Sequence, residues 1–261
     1  NSTISNSNVN TSKGYGIYVY QKSFNNNILN NSINTTGTYG YGIYLFTDVN
    51  YTTIDNNNIW TNGTNGYGIY LNTRASLNNL SGNSVETVTA NSINMNTNDN
   101  RIENNNFTMR GSSYALVLDS GASNNLFLNN SVFSINWRAM NLAGNNNNNL
   151  FYNETYSGIV NTILFSTTSI NNTFTGVKVF RTSSGPAIVI ASSAFYNFTI
   201  IDSILNVTGS TSHHFEIQSS VKGGIWNFTN VTRSNGAPIN ISWTAGANGT
   251  LNMHYYLDVN V

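Results

Sequence analysis

The chain of 261 residues contains no cysteine, only two prolines and very little charge. Without cysteine there is no disulfide and no thiolate metal site, so stability has to come from packing and hydrogen bonding. Charged residues make up 8% and cancel to a net charge of zero, where an ordinary soluble protein has about 25%. Such a surface has no electrostatic attraction for nucleic acid or for an anionic membrane. Long apolar runs are missing too, so membrane insertion through a helix is not expected. The first residue is Asn1 rather than methionine, which reads as a processed chain or a fragment.

In place of charge the chain carries 52 asparagines, with 59 Ser and Thr beside them. Asparagine at this level can mark a disordered tract. Here 39% hydrophobic and 12% aromatic residues, spread evenly along the chain, supply a core and argue for a folded protein.

The arrangement is periodic. A short apolar segment recurs as "GIYV" at Gly16, "GIYL" at Gly42 and Gly68, "SINM" at Ser92, "ALVL" at Ala115 and "AMNL" at Ala139. "TILF" at Thr162, "AIVI" at Ala187, "HFEI" at His214 and "PINI" at Pro238 complete the series, in steps of 23–27 residues. Inside each period lies a pair of apolar residues five apart: Ile4/Val9, Ile28/Ile33, Ile54/Ile59, Leu80/Val85, Ile102/Phe107, Phe127/Val132, Phe151/Tyr156 and Phe174/Val179. Two positions after the first member stands Asn6, Asn30, Asn56, Gly82, Asn104, Asn129, Asn153 or Gly176. Asn and Gly enter the left-handed region most cheaply, so this position predicts a sharp bend between two short strands. A second column, Asn26, Asn78, Asn100, Asn125, Asn149 and Asn172, precedes the pair by two.

Short bent strands repeating at this period predict an all-β chain: a single-stranded right-handed parallel β-helix of about ten to eleven coils, one solenoid over residues 1–261. Coils in register about 4.8 Å apart make a rod roughly 50 Å long. Equivalent residues then stack, Ile17 on Ile43 on Ile69 inside and Tyr18 on Tyr44 on Tyr70 outside. The "GIYL…NNxI…NNxI" coils resemble the parallel β-helix repeats of extracellular and archaeal or bacterial surface proteins. They are similar to those of the NosD-like and carbohydrate-binding/sugar-hydrolase repeat families. The resemblance covers essentially the whole chain and implies architecture; pectinases, lyases, adhesins, tailspikes and S-layer proteins all share such repeats.

Two stretches of the solenoid use asparagine differently. Seventeen N-x-[ST] sequons occur, at Asn1, Asn10, Asn30, Asn34, Asn50, Asn62, Asn79, Asn106, Asn129, Asn153, Asn171, Asn197, Asn206, Asn227, Asn230, Asn240 and Asn248. Residues 1–150 hold 39 asparagines and nine sequons, which matches chance; residues 151–261 hold 13 asparagines and eight sequons. The excess in the second stretch predicts N-glycosylation, and a glycan coat accounts for solubility without charge.

Candidate chemistry is sparse. The resemblance to polygalacturonases fails at their motifs, since "NTD", "GHG", "RIK" and an adjacent Asp pair are all missing. Asp55 and Glu103 fall at one coil position two turns apart with Ser81 between, which reads as structural. Asp99 and Glu103, four apart, have no fixed common direction. Lys22, Asp48 and Arg74 recur at one coil position, with Asp99 one beyond, and predict an exposed charge ladder. Adjacent His213 and His214 point to opposite faces of a strand, and His254 is isolated, so no metal site or cofactor is expected. An outward strip of Tyr18, Tyr20, Tyr44, Phe46 and Tyr70 can stack on sugars or on a partner.

The apolar, strand-like C-terminal "LNMHYYLDVNV" and the mid-coil start at Ile4 predict head-to-tail self-association. Together these features predict a non-enzymatic extracellular or cell-surface glycoprotein assembling end to end into a filament or surface layer. The alternatives are a carbohydrate-binding or carbohydrate-active β-helix using the aromatic strip, and an adhesin fragment.

Overall fold

The structure, a computed structural model, describes residues 1–191, 195–208 and 213–256. Successive coils each lay down strands on three parallel sheets. The first sheet begins with Thr3–Ser5, the second with Asn8–Thr11 and the third with Ile17–Tyr20. Among the described residues they hold 12, 9 and 10 strands respectively, wound as the right-handed parallel β-helix that the period predicts. Nine of the ten apolar segments read from the sequence each supply a third-sheet strand, beginning with Ile17–Tyr20. The tenth, read from Pro238, falls two residues early, because Phe215 pairs with Ile241 and the last strand is Ile241–Trp243. The register is the expected one: Ile17 pairs with Ile43 and Ile43 with Ile69.

The bend works as predicted. Asn30, Asn56, Asn104, Asn129 and Asn153 have φ of 53–56°. Gly82 and Gly176 stand at 63° and 65°, and Asp202 and Asn230 continue the series at 49° and 52°. One left-handed residue turns the chain from the first sheet to the second, so both members of each apolar pair point inward. Ile28, Ile33, Ile102, Phe107, Phe151 and Tyr156 are all buried. In the interior Phe127, Phe151 and Phe174 stack at ring spacings of 4.8 and 4.5 Å.

Each side of the bend carries a buried amide ladder. On the first sheet's side, the backbone N–H and side-chain Nδ2 of Asn78 both donate to Asn100 Oδ1, at 3.0 and 3.2 Å. The same pattern links Asn100 to Asn125, Asn125 to Asn149 and Asn149 to Asn172. Thr52 interrupts this column between Asn26 and Asn78. The second ladder, not foreseen, runs Asn31, Asn57, Asn83, Asn105, Asn130 and ends on Glu154 Oε1. Its amides also donate back to a carbonyl of the preceding coil, as Asn105 Nδ2 does to that of Leu80 at 3.0 Å. These groups are satisfied away from water, which is what makes so polar a sequence compatible with a solenoid interior.

Past Asn172 the first ladder gives way to Phe198 and Trp226, paired at its level. There the first-sheet strands lengthen to seven residues, as in Ser169–Thr175 and Gly223–Thr229. Of the C-terminal segment, Thr250–His254 is a strand on the first sheet, and residues 257–261 lie outside the described residues.

Candidate functional site

The third sheet follows a tight corner of the coil. A Cβ on Gly42 would overlap the Ile59 side chain and the Gly68 carbonyl, so glycine is required where the chain enters this strand. Beyond that corner the outward positions form three columns along the rod. Tyr15, Tyr41, Tyr67, Asn91, Tyr114 and Arg138 stand two residues before successive strands. Tyr18, Tyr44, Tyr70, Asn94, Val117 and Asn141 form the middle column. Tyr20, Phe46, Asn72, Asn96 and Asp119 form the third.

Six tyrosines dominate the first three coils. Tyr15, Tyr41 and Tyr67 stack at 5.2 and 5.3 Å with interplanar angles of 11° and 5°. Tyr18, Tyr44 and Tyr70 stack at 5.2 and 5.0 Å with angles of 20° and 5°. The columns meet edge to face, Tyr41 to Tyr44 at 5.0 Å and Tyr67 to Tyr70 at 5.2 Å. Tyr20 and Phe46 stack at 5.7 Å beside them.

The strip therefore differs from the expected one. Tyr44 is only 8% exposed and Tyr70 is half-buried, because the unforeseen Tyr15/Tyr41/Tyr67 column packs against them. Open aromatic surface lies instead at Tyr15, Tyr18 and Tyr20, which are 39%, 43% and 46% exposed. The "GYG" tyrosines sit outside the strands, where strand alternation does not place them. Their recurrence at the coil period was the available signal.

Desolvation, with neighbouring tyrosines adding to it, pushes Tyr41 up to about 12 and raises Tyr70 further. The floor next to them is polar: Asn72 Nδ2 donates to Tyr44 Oη at 3.1 Å, and Asn96 Nδ2 to Asn72 Oδ1 at 2.7 Å. Flat hydrophobic rings beside amide donors and acceptors suit a ligand with apolar faces and polar edges.

The third-sheet strands bear two carboxylates, Asp119 and Glu216. Four coils separate them, about 19 Å at the coil spacing. Glu216 Oε2 faces His213 Nε2 at 3.3 Å, while its Oε1 accepts from Gln218 at 3.0 Å. The neighbouring His214 turns the other way, and its Nδ1 accepts the Asn240 N–H at 3.3 Å. Among the described residues no three His, Asp or Glu side chains cluster as a metal site.

Elsewhere, Arg74 clasps Asp48 at 2.6 and 2.9 Å and holds its carboxyl below the usual range, while Lys22 adds a weaker attraction. Asp55 accepts the Ser81 hydroxyl at 2.5 Å, and Glu103 pairs with Arg101 at 2.6 Å. Both are surface contacts between or within coils, as the sequence implied. None of the 17 sequon asparagines lies on a third-sheet strand, and none is buried.

No curated protein matches the chain. Among solved structures it is similar to a periplasmic alginate epimerase, at 11% identity over 97% of this chain and 74% of that one, with a TM-score of 0.55. It is also similar to the catalytic domain of a GH87 α-1,3-glucanase in complex with nigerose, at 12% identity over 97% and 63% of the two chains, with a TM-score of 0.44. The epimerase shares the fold. That likeness corrects the expectation of a non-enzymatic chain: the scaffold is one on which an enzyme is built, so a sparse supply of carboxylates does not exclude catalysis. Residues 1–132 match the family described as the right handed beta helix region, just over half of the 261 residues. With its coils in register along three parallel sheets, the chain belongs to that family.

Proposed function

We propose that this is an exported carbohydrate-binding or carbohydrate-active β-helix protein that lays a glycan chain along the outer face of its third sheet. The observation that carries the reading is the pair of stacked tyrosine columns with their open rims at Tyr15, Tyr18 and Tyr20. Their repeat, the coil spacing of about 4.8 Å, is comparable with the length of one sugar ring in an extended glycan. The likeness in fold to a carbohydrate-active enzyme agrees with this reading and favours it over a purely structural filament. Chemistry on this face would use Asp119 or Glu216 singly, because paired carboxylates work at roughly 5–10 Å.

Titration calorimetry against a panel of neutral and acidic oligosaccharides tests the proposal. Tyr15→Ala with Tyr18→Ala, both at exposed rings, keeps the fold and weakens binding at least tenfold, equivalent to about 1.4 kcal/mol. Affinity unchanged in that double variant would remove the tyrosine face from the account.

The sequons support a compatible role for the other faces. We propose that N-glycans, where attached, coat the first and second sheets and the loops and leave the third sheet bare. Protein from its native source then has a mass above the 28.6 kDa of the chain and returns to it on chemical deglycosylation. A native mass equal to the chain would contradict the coat.

A further inference from the structure

The column that begins at Tyr15 carries, five coils on, a cation. Arg138 occupies the same outward position as Tyr15, Tyr41, Tyr67 and Tyr114. Its guanidinium lies 4.6 Å from the ring centroid of Trp137, and its Nε is buried without a hydrogen-bond partner. Two coils further along that column is Pro186, whose carbonyl accepts Arg181 Nη1 at 2.8 Å. Arg181 Nε donates to Ser183 Oγ at 3.3 Å. Gly158, packed against the Trp137 carbonyl and the Arg138 backbone, pairs with Arg181 across the second sheet. The two arginines thus lie two coils apart along the same edge of the third sheet, with the side-chain-free Gly158 between them.

They are short of counter-charge. Among the described residues neither arginine makes an ion pair. The nearby carboxylate of Glu216 is engaged by His213 and Gln218. Desolvation and repulsion from Arg138 lower the Arg181 pKa, and Glu216 only partly offsets them. A half-buried, unpaired guanidinium with an orphaned donor is costly in a chain with so few charges. An anion supplied from outside provides the missing counter-charge, and planar guanidinium suits carboxylate and sulfate in particular.

We propose that Arg138 and Arg181 form an anion subsite, so that the glycan held by the tyrosine columns is an acidic one bearing carboxylate or sulfate groups. This rests on the third-sheet face being the glycan-binding surface. Tyr67 and Arg138 are three coils apart, about 14 Å, so one extended chain of a few sugars reaches both.

Affinity electrophoresis with matched polymers tests the subsite: polygalacturonate against its methyl-esterified form, and dextran sulfate against dextran. The acidic member of at least one pair retards the protein at least tenfold more strongly than its neutral counterpart, and added salt shrinks the difference. Arg138→Gln abolishes that preference; Arg181→Gln, which removes the second guanidinium independently, reduces it and guards against misfolding of the first variant. The pair showing the preference distinguishes carboxylate from sulfate. Equal retardation by charged and neutral members, unaltered in both variants, overturns the subsite while leaving the tyrosine face intact. Loss of binding in the tyrosine variant together with no charge preference has the same meaning. Affinity indifferent to both the tyrosine and the arginine changes overturns the two proposals together.

Discussion

Glu154 shows how much a single residue can depend on its place in a ladder. It is fully buried, its Oε1 takes the Asn130 N–H and Nδ2 at 2.8 and 2.9 Å, and Tyr156 donates to Oε2 at 3.5 Å. Those bonds favour the anion, but burial outweighs them and pushes its carboxyl up to about 8. In the unfolded chain it titrates at about 4.3. Below that pH both states hold the proton and the full contribution to stability is present. As pH rises towards 8 only the unfolded chain loses its proton, so stability falls, then levels off. Each pH unit between the two values is worth roughly 1.4 kcal/mol, so the loss amounts to several kcal/mol. Glu154→Gln keeps the acceptor and cannot ionise. Urea unfolding at pH 4, 6 and 8 is expected to show the wild type losing stability relative to this variant as pH rises; parallel profiles would contradict a buried, protonated acid.

Between neighbouring strands, the asparagine doublets divide their labour. In Asn30-Asn31, Asn56-Asn57, Asn104-Asn105 and Asn129-Asn130 the first residue takes the left-handed bend and the second enters the buried ladder. The bend was legible in the sequence, because Gly replaces Asn there at Gly82 and Gly176 and φ > 0 explains both. The ladder beside it was not, because its asparagines are adjacent to turn residues and look like more turn. Gly82-Asn83 carried the clue: the first position changed to glycine and the second stayed asparagine. The two roles predict different costs. Asn104→Ala loses an αL preference worth about 1 kcal/mol. Asn105→Ala strands the Asn83 and Leu80 groups that it bonds and costs about 3 kcal/mol. Equal shifts in the two denaturation midpoints would refute the division. The ladders also explain where sequons can fall. Two residues after a ladder asparagine comes a core position, as Ile28 after Asn26 or Ile33 after Asn31, so Ser or Thr is excluded there. Exposed sequons are thus partly a consequence of the fold.

For the molecule as a whole, the coil period made the architecture readable from end to end, since each coil repeats one packing problem. The face that the fold builds was harder to read. Strand alternation correctly put Tyr18, Tyr44 and Tyr70 outward, yet it could not show that outward is nearly buried when a second tyrosine column, set by the "GYG" corner, leans on the first. Arg138 gave no signal at all, because its importance lies in a column that carries tyrosine on four of the five preceding coils and in a missing partner. The central claim is that glycan lies along this face, and covalent footprinting of tyrosines with and without bound oligosaccharide tests it most directly. The account predicts protection at Tyr15, Tyr18 and Tyr20, with Tyr51 and Tyr152, exposed elsewhere on the coil, labelled as before. Protection confined to Tyr51 or Tyr152, with the third-sheet tyrosines unchanged, would contradict it.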